Sequence, residues 1–344
     1  MEDVLAAVPK RPRMNLQAIS QLAELGDYSF AFALRAVAAI GVADHLADGP
    51  RHIDDLAERT QCNRHGLIRV LRMLAIKSVF VEAPADTFAL SPAGELLRTD
   101  HPLSMRWFFR LEPDVHALAA LDHSVRTGEP AFTHVFGTDY FVWLASHDEQ
   151  RQRFRESQRA LNRLELITIQ RAFRWQDRRS VVDVGGSDGS LVATLLKRFP
   201  AMTGSVFDLP ETVADADAVF REAGVADRAS VVRGNVFHDA VPAGADVYVM
   251  KRILVGFNDE EAVLALSRVR DAMGRHSRLL VMEPLRNTPD QVGVSLDLQM
   301  LVLGLGRVRT ADEFISVLHA AGLRTLATHP TGLVTMIEAE VAGA

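Results

Sequence analysis

Apolar residues recur at three- and four-residue spacing through most of the first 175 positions of the chain. This spacing places them on one face of a helix, so it predicts a series of amphipathic helices. Two short apolar runs, 79–82 and 87–90, flank a Pro-Ala-Asp turn and predict a β-hairpin. Three helices followed by a small hairpin is the outline of a winged helix. The predicted helices span residues 16–25, 29–47, 53–60, 64–76, 114–126 and 139–173.

Beyond residue 178, short apolar runs alternate with helical segments. Continuous apolar runs predict strands covered on both faces, and their alternation with helices predicts a parallel sheet of βαβ units. The last two runs, 324–328 and 334–338, flank a Pro-Thr-Gly turn and predict an antiparallel hairpin. The expected fold class is therefore α/β, with a doubly wound, Rossmann-like C-terminal sheet. Its other strands are predicted at 181–184, 205–207, 230–232, 247–250 and 279–282, and its helices at 189–198, 211–223, 259–273 and 311–321.

The length of 344 residues is enough for two hydrophobic cores. We expect a mainly helical winged-helix domain at 1–105, a helical linker at 106–175 and the sheet domain at 176–344. Segment 14–50 is too apolar to be exposed to water alone, which favours a homodimer.

The formal net charge is −6, and hydrophobic residues make up 48% of the chain. An acidic balance disfavours partners such as nucleic acid or an anionic membrane, because both attract basic surfaces. The single cysteine, Cys62, excludes an intrachain disulfide. The longest apolar stretch, 30–46, is interrupted by Arg35 and Asp44, so no membrane span is expected. The expected location is the cytoplasm.

The first strand of the sheet is followed by a glycine-containing turn, 183–189, with the sequence Asp-Val-Gly-Gly-Ser-Asp-Gly. It matches neither the dinucleotide fingerprint nor a P-loop, which disfavours a nicotinamide-dependent reductase. Asp208 ends the next strand, where an acid can accept hydrogen bonds from ribose hydroxyls. After the third strand, Asn235 can bond an adenine edge, and Val236 or Phe237 can cover the adenine face. A nucleoside site without a phosphate cradle suits S-adenosylmethionine.

The chain resembles the caffeic-acid-type small-molecule O-methyltransferases, in particular the bacterial enzymes that tailor antibiotics, from about residue 15 to 340. The segments that carry the resemblance are 67–74, 182–186, 207–210, 250–254, 259–260, 298–301 and 306–310. The resemblance implies a class I methyltransferase sheet, a winged-helix dimerisation domain and S-adenosylmethionine as the cofactor. The cofactor contacts that it implies are Gly185, Asp208, Leu209, Asn235, Val236, Phe237, Lys251 and Arg252.

The catalytic positions depart from the pattern of that family. Its general-base histidine belongs to a His-Asp-Trp sequence, and residues 255–257 read Val-Gly-Phe in its place. One of the two acids that orient the histidine falls at Val308, and the other is kept as Glu283. The resemblance and this departure together imply that a small phenolic metabolite is methylated on an oxygen or a ring carbon. Proximity of the acceptor to the methyl group would then replace the histidine base.

Two alternatives remain open at this stage. The first is a tailoring enzyme that retains the cofactor without methylating, such as a hydroxylase, decarboxylase or pericyclase. The second, more remote, is a winged-helix DNA-binding regulator that uses segment 62–76 for recognition. Arg69 and Arg72 of that segment lie among apolar residues that are needed inside, which disfavours this reading.

Three residues are candidates for the chemistry. Glu283 ends an apolar strand and is expected at the mouth of the site, hydrogen-bonded to substrate. His134 and Tyr140 are candidates for a substitute base, because phenylalanines flank both of them. No metal site is expected. A hydrophobic slot for a planar aromatic substrate is expected from Trp107, Phe108, Phe136, Val255, Met300 and Leu303.

Overall fold

The computed structural model of the protein describes residues 15–110, 112–287, 292–332 and 334–343. The chain divides into two compact units, Met1–Arg110 and Leu111–Ala344. Residues of the predicted linker 106–175 fall on both sides of this boundary, and the three-part division stays a prediction.

The first unit is mainly helical and contains a small antiparallel sheet with the strand order β1-β3-β2. The predicted hairpin is present, and a short strand pairs with its outer edge. The helices are α1 (Leu16–Leu25), α2 (Ser29–Ile40), α3 (Ile53–Arg59), α4 (Arg64–Ile76) and α5 (Pro92–Glu95), with 3-10 helices at Val42–Leu46 and Arg106–Arg110. The strands are β1 (Arg51–His52), β2 (Phe80–Ala83) and β3 (Thr87–Leu90).

One predicted helix of this unit, 29–47, is divided by Gly41. Gly41 has φ of 82° and ends α2 in a left-handed cap, a conformation that glycine adopts without a Cβ clash. The unit packs around buried side chains of α2, α3, α4 and the hairpin, among them Leu56, Leu71, Phe80 and Phe88. By contrast, α1 has no buried residue within the described chain.

The second unit contains a seven-stranded sheet within the described residues, with the order β6-β5-β4-β7-β8-β10-β9. Its strands are β4 (Ser180–Val184), β5 (Thr203–Asp208), β6 (Ala229–Arg233), β7 (Val247–Lys251), β8 (Arg278–Glu283), β9 (Leu323–Pro330) and β10 (Thr335–Val341). The first five strands of that order are parallel, and β10 is antiparallel to both of its neighbours. This confirms the predicted α/β class and its antiparallel closing hairpin.

The helices of the second unit cover the sheet and form a separate apolar cluster. Two hydrophobic clusters pack against the sheet, because its central strands carry apolar side chains on both faces. A third cluster joins the short helices at 112–145 to the helix at 292–303. The helices of the second unit are α6 (Glu112–Ala119), α7 (Leu121–Thr127), α8 (Ala131–Phe136), α9 (Tyr140–Ala145), α10 (Asp148–Ala172), α11 (Ser190–Arg198), α12 (Ala216–Glu222), α13 (Asp259–Ala272), α14 (Val292–Leu303) and α15 (Ala311–Ala320), with 3-10 helices at Trp175–Asp177 and Leu254–Gly256.

The helical predictions for this unit were wrong at several points. The predicted helix 114–126 is divided at Ala120 into α6 and α7, and α8 was not predicted. The predicted helix 139–173 is interrupted at Ser146, whose hydroxyl donates to the Trp143 carbonyl at 2.8 Å and competes with the helical hydrogen bonds. The predicted helix 211–223 begins only at Ala216. Helix α14 was not predicted, because apolar residues occur on all of its sides and leave no amphipathic pattern.

The sheet fixes where a ligand can bind. The chain runs outward from β4 through β5 to β6 and then returns to the other side of β4 at β7. In open parallel sheets this reversal opens a crevice at the carboxyl ends of the strands. In the described ranges, no helix has the length and apolar character that a membrane crossing requires.

Candidate functional site

The turn after β4 is built so tightly that only glycine fits at two positions. Gly185 has φ of 74°, and a Cβ there would lie 2.3 Å from the Ile253 Cδ1. A Cβ on Gly186 would lie 2.4 Å from the Asp183 Oδ2. Such distances are far below van der Waals contact, so the absence of side chains lets the backbone pass close to Asp183 and Ile253.

Asp208 ends β5 beside this turn. Its Oδ2 accepts from the backbone N–H of Ser187 at 2.9 Å, and its Oδ1 accepts from that of Leu209 at 2.7 Å. Burial raises the pKa of Asp208, while these two amides act in the opposite direction. Each carboxylate oxygen keeps a further lone pair, so both ribose hydroxyls of a nucleoside have an acceptor here. The structure therefore brings Gly185, Asp208 and Leu209 together, as the sequence predicted.

The segment after β6 lies next to Asp208, because the Gly234 N–H donates to the Asp208 carbonyl at 3.0 Å. The Asn235 Oδ1 accepts from the Phe237 N–H at 2.9 Å, so this side chain closes a local turn. Phe237 packs with its ring centroid 4.9 Å from that of Phe257. One lone pair of the amide oxygen and the aromatic pair remain to meet an adenine edge and face.

Lys251 and Arg252 end β7, and both ion-pair with a residue that the sequence analysis missed. Glu165 of α10 has 1% of its side chain exposed, and its Oε2 lies 3.0 Å from the Lys251 Nζ. Its Oε1 accepts from the Arg252 Nε at 2.6 Å. Burial opposes ionisation of Glu165, but the two cations outweigh it and lower its pKa. The sequence signal that could have revealed Glu165 is a carboxylate at a buried position of an amphipathic helix.

Asp183 lies beneath the glycine turn and is fully buried. Burial raises its pKa to about 7, an effect that Lys251 opposes and the nearby Asp208 and Asp188 reinforce. Its Oδ1 has no hydrogen-bond donor among the residues that the structure describes. A buried carboxyl group with an empty acceptor site and acidic neighbours favours a cationic ligand.

Glu283 ends β8 and has no exposed surface. We expected it at the open mouth of the site, but the structure places it against the backbone of the turn after β7. Its Oε1 accepts from the Leu254 N–H at 2.7 Å, and its Oε2 has no donor within the described chain. Burial raises its pKa to about 7, and the charge of Arg252 acts in the opposite direction.

A buried arginine holds the other side of the same turn. Arg309 is fully buried, and its guanidinium donates to the carbonyls of Leu254 at 2.6 Å and Phe257 at 2.7 Å. The Val255 carbonyl accepts from the Arg307 N–H at 3.0 Å. The turn is therefore fixed through its amide and carbonyl groups, and its Val255 side chain is partly buried. No local sequence pattern marks Arg309 for this role.

The candidate bases His134 and Tyr140 differ in their surroundings. Tyr140 is buried and donates to the Asp114 Oδ1 at 3.1 Å, and burial raises its pKa, which opposes proton acceptance at neutral pH. His134 is exposed and stacks on His123 at 4.0 Å. The apolar surroundings that we expected for both side chains are found only for Tyr140.

The residues of the predicted substrate slot lie on several elements of the structure, and the slot stays a prediction. Phe136 and Leu303 belong to one apolar cluster with Tyr140. Met300 lies on α14, and Val255 lies in the clamped turn. The other two slot residues belong to the first unit, where Phe108 packs edge-on against Phe109 at 5.3 Å and the Arg106 guanidinium lies 5.9 Å from the Trp107 ring.

A cavity of about 750 Å³ opens beside α14. It is lined by Arg286, Val294, Ser295, Asp297, Leu298, Leu301, Gly306 and Arg307. The predicted slot residues are not among these described lining residues. Both arginines are already ion-paired, Arg286 with Asp297 at 3.2 Å and Arg307 with Asp259 at 2.8 Å. This cavity is therefore distinct from the predicted slot.

The fold and this site define a class I methyltransferase, and comparisons with known proteins identify its family. An O-methyltransferase domain matches residues 118–324, and an O-methyltransferase dimerisation domain matches residues 24–100. The chain therefore belongs to the O-methyltransferase family and is an S-adenosylmethionine-dependent methyltransferase. The match of the first unit to a dimerisation domain disfavours the DNA-binding alternative.

Relatives among characterised proteins extend over most of the chain. A phenazine O-methyltransferase of Lysobacter antibioticus is 36% identical over 302 residues, which are 87% of this chain and 88% of that protein. The O-demethylpuromycin O-methyltransferase of Streptomyces alboniger is 38% identical over 314 residues, covering 87% of this chain and 83% of that protein.

Solved structures show the same similarity. The S-adenosylhomocysteine-bound form of CalO1, a methyltransferase in calicheamicin biosynthesis, has a TM-score of 0.87 and 33% identity, covering 96% of this chain and 100% of that one. The O-methyltransferase NcsB1 from neocarzinostatin biosynthesis, in complex with S-adenosylmethionine and 2-hydroxy-5-methyl naphthoic acid, has a TM-score of 0.76 and 31% identity, with coverage of 96% and 100%.

Replacing Asp183 with Asn is expected to stabilise the cofactor-free protein increasingly as the pH rises. Because burial raises the pKa of Asp183 to about 7, the folded protein keeps a proton that the unfolded chain loses near pH 4. The stability of the wild-type protein therefore falls with rising pH across this window, and the variant escapes the loss. Between about pH 5 and about pH 8 its advantage should widen by roughly 2 kcal/mol.

Urea unfolding at the two pH values measures this difference, with the exposed Asp217→Asn of α12 as the control. An advantage of Asp183→Asn that stays constant or shrinks at the higher pH would contradict the assignment.

Proposed function

We propose that this protein transfers the methyl group of S-adenosylmethionine to a hydroxyl oxygen of a small aromatic metabolite in antibiotic-type secondary metabolism. One observation carries the proposal: the carboxylate of Asp208 lies at the glycine turn with acceptor capacity left on both oxygens, and the buried Asp183 packs against the same turn. The relatives named above support the substrate class, since one methylates a phenazine and a structural relative is complexed with a naphthoic acid.

The residues present fit the cofactor by their chemistry. Asp208 offers two oxygens to the ribose, and Asn235 and Phe237 offer an acceptor and an aromatic face to the adenine. S-adenosylmethionine carries a sulfonium and an ammonium against one carboxylate. Buried Asp183 and the neighbouring Asp188 supply negative charge for these cationic groups. Lys251 and Arg252, which we also assign to the cofactor site, balance Glu165 and so hold the crevice in place.

The bound cofactor supplies an electrophilic methyl group, so the protein has to orient the acceptor and accept a proton. Holding the acceptor about 3–3.5 Å from the methyl carbon can account for much of the rate enhancement without a base. By the family resemblance, Val255 takes the position of the general-base histidine, and it gives the turn an apolar side chain. Glu283 offers a free carboxylate oxygen with a pKa of about 7, the value that suits proton acceptance near neutral pH.

We place the acceptor end of the site at the aromatic cluster of the short helices that precede α10. Phe136 packs against Phe132 at 4.4 Å and Trp143 at 5.2 Å, and Leu303 of α14 belongs to the same cluster. Rings at these distances favour a flat apolar substrate in contact with Phe136, Met300 and Leu303. A planar phenol fits this lining better than a sugar or peptide does.

Replacing Asp208 with Ala tests the cofactor site. We expect calorimetric titration of the wild-type protein to detect S-adenosylmethionine and S-adenosylhomocysteine, and we expect the variant to lose roughly 10- to 100-fold in affinity for both. Asp217→Ala, an exposed acid of the next helix, is the control and should bind like the wild type. Equal binding by the wild type and Asp208→Ala would refute the assignment of Asp208, and absence of binding to the wild type would refute the proposed function.

Replacing Glu283 with Gln separates catalysis from binding. The amide keeps an acceptor for the Leu254 N–H but does not accept a proton, so turnover should fall by about 10²-fold or more. The dependence of kcat on pH near 7, measured with saturating S-adenosylmethionine so that the titration of Asp183 does not contribute, should disappear, and S-adenosylmethionine affinity should change less than about threefold. The exposed Glu260→Gln is the control. Parallel losses in turnover and cofactor affinity would mean that Glu283 only supports the fold.

We also propose that the protein is a homodimer formed through its first unit. On α1, Leu22 is 71% exposed and Leu25 is 78% exposed, which is unfavourable for a helix in water. Light scattering after size exclusion should give twice the monomer mass for the wild type and the monomer mass for Leu22→Glu/Leu25→Glu. Gln17→Glu adds a charge at a polar position of the same helix and should stay dimeric. A monomeric wild type, or a dimeric double variant, would disprove this interface.

A further inference from the structure

The turn at 254–257, which follows β7, contacts both ends of the proposed site. On the acceptor side, the Leu254 N–H donates to the Glu283 Oε1 at 2.7 Å. On the cofactor side, the Phe257 ring lies 4.9 Å from the ring of Phe237, which we assign to the adenine face. Because both contacts come from one short stretch of backbone, a displacement of this turn would move both groups.

The turn has few hydrogen bonds of its own. It is a single 3-10 turn, in which the Gly256 N–H donates to the Ile253 carbonyl at 3.1 Å and the Phe257 N–H donates to the Leu254 carbonyl at 3.2 Å. The hydrogen-bond geometry of such turns is poorer than that of an α-helix. By the family resemblance, a histidine that acids hold belongs at the position of Val255, whose side chain forms no hydrogen bonds. Other groups therefore have to hold this backbone in place.

Arg309 holds the backbone of the turn by its carbonyl groups. Its side chain has no exposed surface, and it donates from Nη1 to the Leu254 carbonyl at 2.6 Å and from Nη2 to the Phe257 carbonyl at 2.7 Å. Its Nε donates to the Asp259 Oδ1 at 2.9 Å, which supplies the counter-ion. A guanidinium is planar and donates in fixed directions, so it holds the two carbonyls at a set separation.

Gly306 lets the segment that carries Arg309 lie against the turn. Gly306 has φ of 99°, and a Cβ there would lie 2.2 Å from the Val255 carbonyl oxygen. The Arg307 N–H donates to the same carbonyl at 3.0 Å. The turn is consequently held between Glu283, which accepts from its amide group, and the segment 306–309, which donates to its carbonyl groups.

We propose that Arg309 is a positioning residue for methyl transfer, which holds the turn 254–257 so that Glu283 and the Phe257 ring stay aligned with the bound reactants. This inference rests on the proposed function, because it assigns to Arg309 an effect that acts through Glu283. Arg309 is fully buried beneath the turn, so it acts through the backbone and not on a ligand. A misplacement of about 1 Å among reacting groups can cost about 10²-fold in rate.

Replacing Arg309 with Ala tests the proposal. Methyl transfer is followed from labelled S-adenosylmethionine to a panel of planar phenols that includes 2-hydroxy-5-methyl naphthoic acid, the ligand in the NcsB1 complex. We expect kcat to fall by about 10²-fold with the best phenol of the panel. The affinity for S-adenosylmethionine, measured by calorimetry, should change by less than about threefold, because Asp208 and Asn235 still bind the nucleoside.

Free guanidinium distinguishes positioning from a general loss of structure. Millimolar guanidinium chloride places N–H donors in the space that Arg309→Ala vacates, so it should raise the kcat of this variant by about 10-fold or more. Sodium chloride at the same concentration should not raise it. Arg309→Lys keeps the charge but lacks the planar fork, so its kcat should stay about 10-fold or more below that of the wild type. Arg268→Ala removes an exposed arginine of α13 and should match the wild type with or without guanidinium.

A second variant reaches the same turn without removing the arginine. Arg309→Ala leaves two buried carbonyls without this donor and should melt at a lower temperature, so its kcat is measured where circular dichroism shows a folded protein. Gly306→Ala keeps Arg309 and pushes against the Val255 carbonyl. It should also lower kcat about 10-fold or more while the affinity for S-adenosylmethionine changes by less than about threefold. If Arg309→Ala does not fold, this variant decides by the same criteria.

The possible failures are distinguishable. If kcat and cofactor affinity fall in parallel, or if guanidinium does not restore the kcat of Arg309→Ala, Arg309 only supports the fold. The inference then fails while the proposed function stands. If the wild-type protein methylates no phenol of the panel, the proposed function fails and the inference fails with it.

Discussion

The pairing of buried Glu165 with Lys251 and Arg252 is the interaction on which the rest of the site depends. A single buried ion pair often fails to recover its desolvation cost, but here one carboxylate uses both of its oxygens on two cations. Removing Glu165 would leave two positive charges near the end of β7 without a counter-ion. The pairing therefore fixes α10 across the carboxyl ends of the strands, where the crevice opens.

This anchoring has an electrostatic consequence for the neighbouring strands. Lys251 and Arg252 oppose the raised pKa values of Asp183 and Glu283, but each cation is shared with Glu165. Burial nevertheless raises the pKa of both carboxyl groups to about 7, and each keeps one oxygen that has no donor among the described residues. Two acids that are only partly ionised at neutral pH flank β7, one beneath the cofactor turn and one at the turn that carries Val255. Their positions on the two strands beside β7 support the roles proposed above, cofactor binding for Asp183 and the acceptor side for Glu283.

The sequence predicted the parts of the fold and site that depend on local pattern. Apolar runs located the strands. The order of Gly185, Asp208 and Asn235 along three strands predicts a nucleoside crevice, because parallel strands bring their carboxyl ends to one edge. The roles of Glu165 and Arg309 depend on partners 86 to 87 and 52 to 55 residues away, which no local pattern reveals. His134 was judged by its phenylalanine neighbours in sequence, but on a short helix those neighbours point to other sides.

Protonation and cofactor binding would be linked at the proposed site. A ligand with an ammonium and a sulfonium beside Asp183 would favour the ionised form of this carboxyl group, so its binding would lower the pKa of Asp183 below about 7 and release a proton. The product has one positive charge less, so it would reverse part of this effect. A ligand held beside Asp183 would therefore bind more strongly before methyl transfer than after it, which would favour exchange of product for fresh donor.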